Sequence, residues 1–311
     1  MAQSQVSVFF VYKRSSRYLG STMMRGFQLC EILKQHGSGR FEYAMKPIPT
    51  MRFGAMRSLW ARRQPSGSVF VFVKDAIDRL DEGALGILHA RAAAVLHDPI
   101  DRSIEDTPLR HVDLHLATSC VQHEALTLHL AGAGATSGLL LHQPDTRLFG
   151  FLDLPSDKLH PAYFGNPINA FLPGPVVERV PLVDVGMTEG MDASWRSFAT
   201  ANFHYGVRPA EQVGHQTVFK PMTKATTAAV CGAPIMVNRT AHDAEALLGA
   251  DYPYLVDQID TEGVLAVLDR AASGFGGAEW VFAIDKMRAL AARVSPTEMA
   301  RTFERLLEAV L

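Results

Sequence analysis

Apolar and polar positions alternate along the chain in blocks of two lengths. Residues 6–11 read Val-Ser-Val-Phe-Phe-Val, a β-branched and aromatic run that predicts a buried strand. After a polar turn over 13–20, Met24, Phe27, Leu29, Ile32 and Leu33 recur near helical spacing within 21–35, and Gly37 closes that helix. The same reading predicts strands at 41–45, 69–73, 92–96, 113–117 and 138–141, and helices at 56–63, 83–91 and 121–130. The 56–63 helix is short and basic. Short strands alternating with helices of this size imply βαβ units and a mostly parallel sheet.

The stretch 153–160, Asp-Leu-Pro-Ser-Asp-Lys-Leu-His, interrupts the pattern with polar residues and a proline, as domain connections do. The alternation then resumes. Strands are expected at 162–165, 180–185, 202–207, 234–238 and 254–256, and helices at 223–230, 242–249 and 262–272. The tail 278–311 is helical with a break at Ser295-Pro296, and is expected to cross back and brace the first half. Two α/β domains follow, residues 1–152 and 153–311. A length of 311 residues suits two domains.

Composition narrows the function classes. Hydrophobic residues at 48% can fill two cores, and 30 basic residues against 32 acidic ones leave no general positive field for nucleic acid or an anionic membrane. Only a local basic site is compatible with that balance. The opening apolar run is too short for a signal peptide core or a bilayer span, so a cytoplasmic protein without an integral membrane segment is expected. Cys30, Cys120 and Cys231 lie far apart in or beside apolar runs and read as reduced core residues.

Four segments carry candidate chemistry. Gly20 and Ser21 end the first strand–helix turn, where helix N–H groups can meet a ligand; no GxGxxG fingerprint is present, which argues against a dehydrogenase. Phe219-Lys220-Pro221-Met222-Thr223-Lys224 precedes and opens a small-residue helix. Lys220 and Lys224, four apart, are expected on one helix face with Thr223 beside them, where a diphosphate would offset their mutual repulsion. In the strand 202–207, His204, Gly206 and Arg208 would share a face, Gly206 admitting a ligand and Arg208 gripping a phosphate. Asp243 and Glu245 head a helix and could accept hydrogen bonds from sugar hydroxyls, while His97-Asp98 and His142 are further polar candidates. Each has a plain structural reading: capped turns, solvated lysines, strand-end ion pairs and dipole-stabilising acids.

Read in order, these segments resemble retaining GT-B glycosyltransferases of the family that includes glycogen synthase-like and sucrose synthase-like enzymes. The resemblance rests on Asp113 with Thr118-Ser119 and a following helix, on Pro144-Asp145-Thr146-Arg147-Leu148-Phe149, on 224–237 with its Cys-Gly-Ala-Pro-Ile-Met-Val core, and on 242–248. The chain departs from that family in lacking its paired glutamates; Phe219 and Thr227 stand there, and no Lys-Gly loop follows the first strand of the second half. The resemblance implies two Rossmann-like domains facing across a cleft, an acceptor side first and a nucleotide-sugar donor side second. It implies glycosyl transfer to an unidentified acceptor, with Arg208 and Lys224 stabilising the departing diphosphate and His97 on the acceptor side. No cofactor is expected, and no metal, since no Asp-x-Asp motif occurs. A sugar-nucleotide epimerase or hydrolase, and a non-catalytic binding module of the same architecture, remain as alternatives.

Overall fold

The computed structural model describes residues 5–150, 153–183, 195–212 and 218–311. The chain forms two compact units, one of Met1–Leu141, Gln216–Pro221 and Pro296–Leu311, the other of His142–His215 and Met222–Ser295. A single cut at 152/153 therefore does not describe the division.

In the first unit the chain runs through β1 (Val6–Lys13), α1 (Gly20–Thr22), a π-helical stretch Met23–Gln28, α2 (Leu29–His36), β2 (Phe41–Ile48), α3 (Gly54–Arg62) and β3 (Val69–Val73). It continues through α4 (Glu82–His89), β4 (Ala94–Asp98), β5 (Leu114–Ala117), α5 (Cys120–His129) and β6 (Thr136–Leu139). The six strands are parallel in the order β2-β1-β3-β4-β5-β6. The central β3, Val-Phe-Val-Phe-Val, is buried throughout, as a strand covered on both faces must be. Asp81 and Ser119 cap α4 and α5 by accepting from Ala84 N and Gln122 N. β2 runs on through Pro47 because it is an edge strand, where a missing N–H costs no ladder bond. β6 starts at Thr136 rather than 138 for a related reason: an edge strand tolerates Thr136 and Ser137.

The second unit contains β7 (Pro161–Phe164), α6 (Gly174–Val177), β8 (Leu182–Val183), β9 (Phe203–Tyr205), α7 (Thr223–Cys231) and β10 (Ile235–Asn238). α8 (Ala244–Leu248), β11 (Leu255–Val256), α9 (Thr261–Ser273) and α10 (Ala278–Arg293) follow. Its strands are parallel in the order β11-β10-β9-β7-β8. Residues 184–185 of the expected strand 180–185 lie outside the described residues. Tyr163, Phe203, Tyr205, Ile235, Trp280 and Met287 are buried in one core, into which α7 turns Ala225 and Ala228.

The break at Ser295-Pro296 is where the chain changes unit. α11 (Pro296–Glu308) belongs to the first unit and packs on α2, as the expected brace requires. Both sheets reverse their direction of growth beside their first strand, between β1 and β3 and between β7 and β9. In open parallel sheets, ligands bind beyond the carboxyl ends of the strands at such a switch point.

Candidate functional site

The switch point of the second sheet gathers the most unusual local chemistry. β7 ends at Phe164, and Gly165 follows with a φ of +140°, a conformation that side chains strain. A Cβ at Gly165 would stand 2.8 Å from Lys224 Nζ. Lys224 reaches there from the first turn of α7. Its Nζ donates to the Phe164 carbonyl at 2.7 Å and lies 4.3 Å from the centre of the Tyr163 ring. The Tyr163 hydroxyl itself donates to the Asn166 carbonyl at 2.8 Å, which fixes the ring beneath the ammonium. Desolvation, followed by the positive charge of Arg208, lowers the Lys224 pKa to about 8.

Arg208 follows β9 and owes its position to Asn238 at the end of β10. The fully buried Asn238 amide accepts from Arg208 N at 2.7 Å and donates to the Arg208 carbonyl at 2.9 Å. One side chain thus holds the backbone of the arginine on both sides. The N-cap of α7, Met222, offers no side-chain cap, and the first helical N–H bonded to a carbonyl is that of Ala225. Thr223 and Lys224 therefore present their N–H groups at the positive end of the helix dipole. Two cations, a helix N-terminus and a glycine whose missing Cβ makes room for the lysine ammonium suit a polyanion.

Several expected residues fall elsewhere. α7 begins at Thr223, so Lys220 precedes the helix and shares no helical face with Lys224; it is exposed in the segment that belongs to the first unit. Gly206 does not open a path for a ligand. A Cβ there would meet Val237 Cγ1 at 2.9 Å, Ile235 Cδ1 at 3.1 Å and the Met236 carbonyl at 3.2 Å, so the glycine serves close packing of β9 on β10. His204 lies in the core against the stacked rings of Phe164 and Phe198, with ring centres 4.9 and 5.9 Å away, and burial lowers its pKa to about 3, leaving it neutral. Glu245 is held by Arg239 at 2.9 Å, beside a cavity of about 500 Å³ along the edge strand β11 rather than at the switch point. Asp243 is buried, with a φ of 66°, ahead of a helix that covers only Ala244–Leu248.

In the first unit, Gly20 and Ser21 do lie at the β1–β3 switch point. Space is open where a Gly20 Cβ would project, but the Ser21 hydroxyl already accepts from Lys74 Nζ at 3.2 Å. His97 is not on an acceptor surface. It is fully buried in β4, with Nε2 2.9 Å from the Lys74 carbonyl and Nδ1 3.3 Å from His115 Nδ1, and burial lowers its pKa to about 3. It braces Lys74, whose φ of 57° is a strained value for a lysine. His142 Nδ1 lies 2.7 Å from the Gln143 carbonyl, within the fold.

Tyr163, Gly165, Asn238 and Arg25 carry no motif that picks them out of the sequence. Arg25 sits within the π-helical stretch, fully buried, 2.7 Å from Asp98 and 3.1 Å from the carbonyls of Leu140 and Leu141. Burial pushes the Asp98 carboxyl up, and the Arg25 guanidinium opposes that shift. The wider helical turn is what brings an arginine of a core-facing helix to the carboxyl end of β4.

No protein-family model and no curated protein matches the sequence. Solved structures do match its fold along nearly the whole chain. A glycosyltransferase from Rickettsia africae aligns with a TM-score of 0.68 at 7% identity, covering 99% of both chains. The Anabaena protein HepE in complex with UDP and glucose aligns with a TM-score of 0.62 at 11% identity, covering 98% of this chain and all of that one. The sucrose-phosphate synthase from Thermosynechococcus elongatus gives 0.61 at 11%, with the same coverage. The chain has the two-domain α/β fold of GT-B glycosyltransferases.

Proposed function

We propose that the protein is a glycosyltransferase that takes a nucleoside-diphosphate sugar as donor and anchors the diphosphate at the carboxyl edge of the second sheet. The observation that carries this reading is the seat of Lys224 at the N-terminus of α7, its ammonium against the Phe164 carbonyl in the space left by Gly165, with the positive charge of Arg208 helping to lower its pKa. In the reaction, the bond from the anomeric carbon to the diphosphate oxygen breaks and its electron pair leaves with the diphosphate, while an acceptor hydroxyl oxygen bonds to that carbon and gives up its proton to the departing phosphate or to water. Lys224, Arg208 and the N–H groups of Thr223 and Lys224 are arranged to stabilise that departing charge. Charge neutralisation by these groups needs no divalent metal. The capture of UDP and glucose by HepE, a protein of like fold, supports a nucleotide sugar as the donor. The absent paired glutamates favour a second reading, a binding module that holds the nucleotide without turnover.

Isothermal titration of UDP into the protein with EDTA present tests the site. Binding is expected to persist with EDTA and to weaken on Arg208→Ala by about 1–3 kcal/mol, as for loss of a charged hydrogen bond. Undiminished binding in the variant, or loss of binding with EDTA, counts against the site. Product analysis with pooled acceptors then separates transfer, which needs an acceptor, from epimerisation or hydrolysis and from binding alone.

A further inference from the structure

The helix α3 carries a surface that neither the proposed donor site nor the core uses. Its buried residue is Ala61, and Met51 before the helix and Gln64 after it are also buried. Residues three and four apart share a helix face, which sets Ala55, Met56, Leu59, Arg62 and Arg63 together on the opposite side. Met56 is 47% exposed and Leu59 48%, and Phe53 at the N-cap is 67% exposed. Three large apolar side chains in seven residues are thus turned to solvent, where most exposed apolar residues occur singly.

The charge around them is of one sign. Arg52, Arg57, Arg62 and Arg63 fall within this short segment, and no acid lies among residues 51–64. Arg57 pairs with Asp81 at 3.4 Å, while Arg52, Arg62 and Arg63 have no acidic partner among the described residues. The other acids on the neighbouring segment are already matched, Asp78 by Arg102 at 2.6 Å and Glu82 by Arg110 at 3.4 Å. The chain as a whole is slightly acidic, so this cluster is a local feature and not a sample of the average surface.

We infer that α3 docks the protein on an anionic lipid bilayer, with Phe53, Met56 and Leu59 entering the headgroup boundary and Arg52, Arg62 and Arg63 facing the lipid phosphates. Apolar residues flanked by arginines on one exposed helix face are what an interfacial helix needs, and each basic residue near an anionic surface contributes about fivefold to partitioning. A partner protein with an acidic groove, or a second copy of this chain, would have to cover the same face. No helix among the described residues is long and apolar enough to cross a membrane, so attachment of this kind would be peripheral.

Co-sedimentation of the full chain with phosphatidylcholine vesicles, with and without phosphatidylglycerol, tests the inference. The protein is expected to pellet only with the anionic vesicles and to release as salt is raised. The double variant Arg62→Glu/Arg63→Glu should lower the bound fraction at least tenfold, and Met56→Ser/Leu59→Ser should lower it on the same vesicles. Leu128→Ser, at an exposed apolar residue on another helix, should leave it unchanged. As a readout on the unaltered surface, brominated anionic lipids should quench the wild-type fluorescence, and Trp60→Phe should abolish that part of the quenching. Equal binding to both vesicle types, or unchanged binding in the arginine variant, overturns the inference. So does a self-association that the arginine variant abolishes while the wild type ignores vesicles.

Discussion

Lys224 is the residue whose environment departs furthest from its usual one at the proposed site. Its ammonium is desolvated, feels the positive charge of Arg208, and is kept by the Phe164 carbonyl and the Tyr163 ring. A bound diphosphate reverses the balance, because an anion beside the ammonium favours its charged form. Binding should therefore take up a proton when the pH is above about 8, where the ligand-free lysine is largely neutral. UDP affinity is expected to be flat below about pH 8 and to fall above it. Lys224→Ala should lose about 1–3 kcal/mol of binding and show no such fall, and Lys224→Arg should stay charged and bind equally across the same range. Titration calorimetry at several pH values reads all three; a wild-type affinity that ignores pH would remove Lys224 from the anion's reach. The effect on stability has the opposite sense. A lysine with a lowered folded pKa is charged more readily in the unfolded chain, so its penalty is full below about pH 8 and fades as the pH climbs toward the ordinary lysine value.

At the scale of elements, the alternation of short apolar runs with amphipathic stretches was enough to place most strands and helices in order. Burial of whole strands such as β3 and the small-residue face of α7 leaves a direct imprint on composition. Pairings between distant segments leave none. The lysine and glycine that meet at the end of β7 come from Lys224 and Gly165, so no local motif announces them. For the same reason Gly206 looks like a ligand glycine in sequence and proves to be a packing glycine, since only the register of β9 on β10 reveals Val237 and Met236 beside it. Asn238 is the clearest such case, an unremarked strand-end residue that ties β10 to the turn bearing Arg208. Asn238→Ala would leave the Arg208 N–H and carbonyl without their partner, at a cost of about 1–3 kcal/mol. Urea unfolding should show that loss, and UDP binding should weaken with it, because Arg208 would no longer be held in place. Stability lost with affinity intact would mean that Asn238 supports the fold alone.

At the scale of the whole molecule, the chain's last helix is not an appendage of the segment it follows. α11 leaves the second unit at Pro296, a residue suited to a first helical turn, and packs into the first. Its Phe303 is fully buried, stacked 5.6 Å from Phe10 of β1 and edge-on 6.1 Å from Tyr43 of β2. Glu304, one residue on, accepts from Ser38 N at 3.0 Å and from the Tyr43 hydroxyl at 2.8 Å, which closes the turn between α2 and β2. Gly37 makes room for that carboxylate, since a Cβ there would stand 2.6 Å from Glu304 Oε1. The last sixteen residues are therefore part of the first core, and the first unit should not reach full stability without them. Phe303→Ala is expected to cost about 3–5 kcal/mol, the range for emptying a buried aromatic site. Glu304→Ala should cost about 1–3 kcal/mol, by leaving Ser38 N and the Tyr43 hydroxyl unpaired. Hydrogen exchange locates the effect: protection should fall in β1, β2 and α2, while β7, β9 and α7 keep theirs and UDP binding is retained. Loss of protection spread evenly over both sheets would show instead that the two units unfold as one.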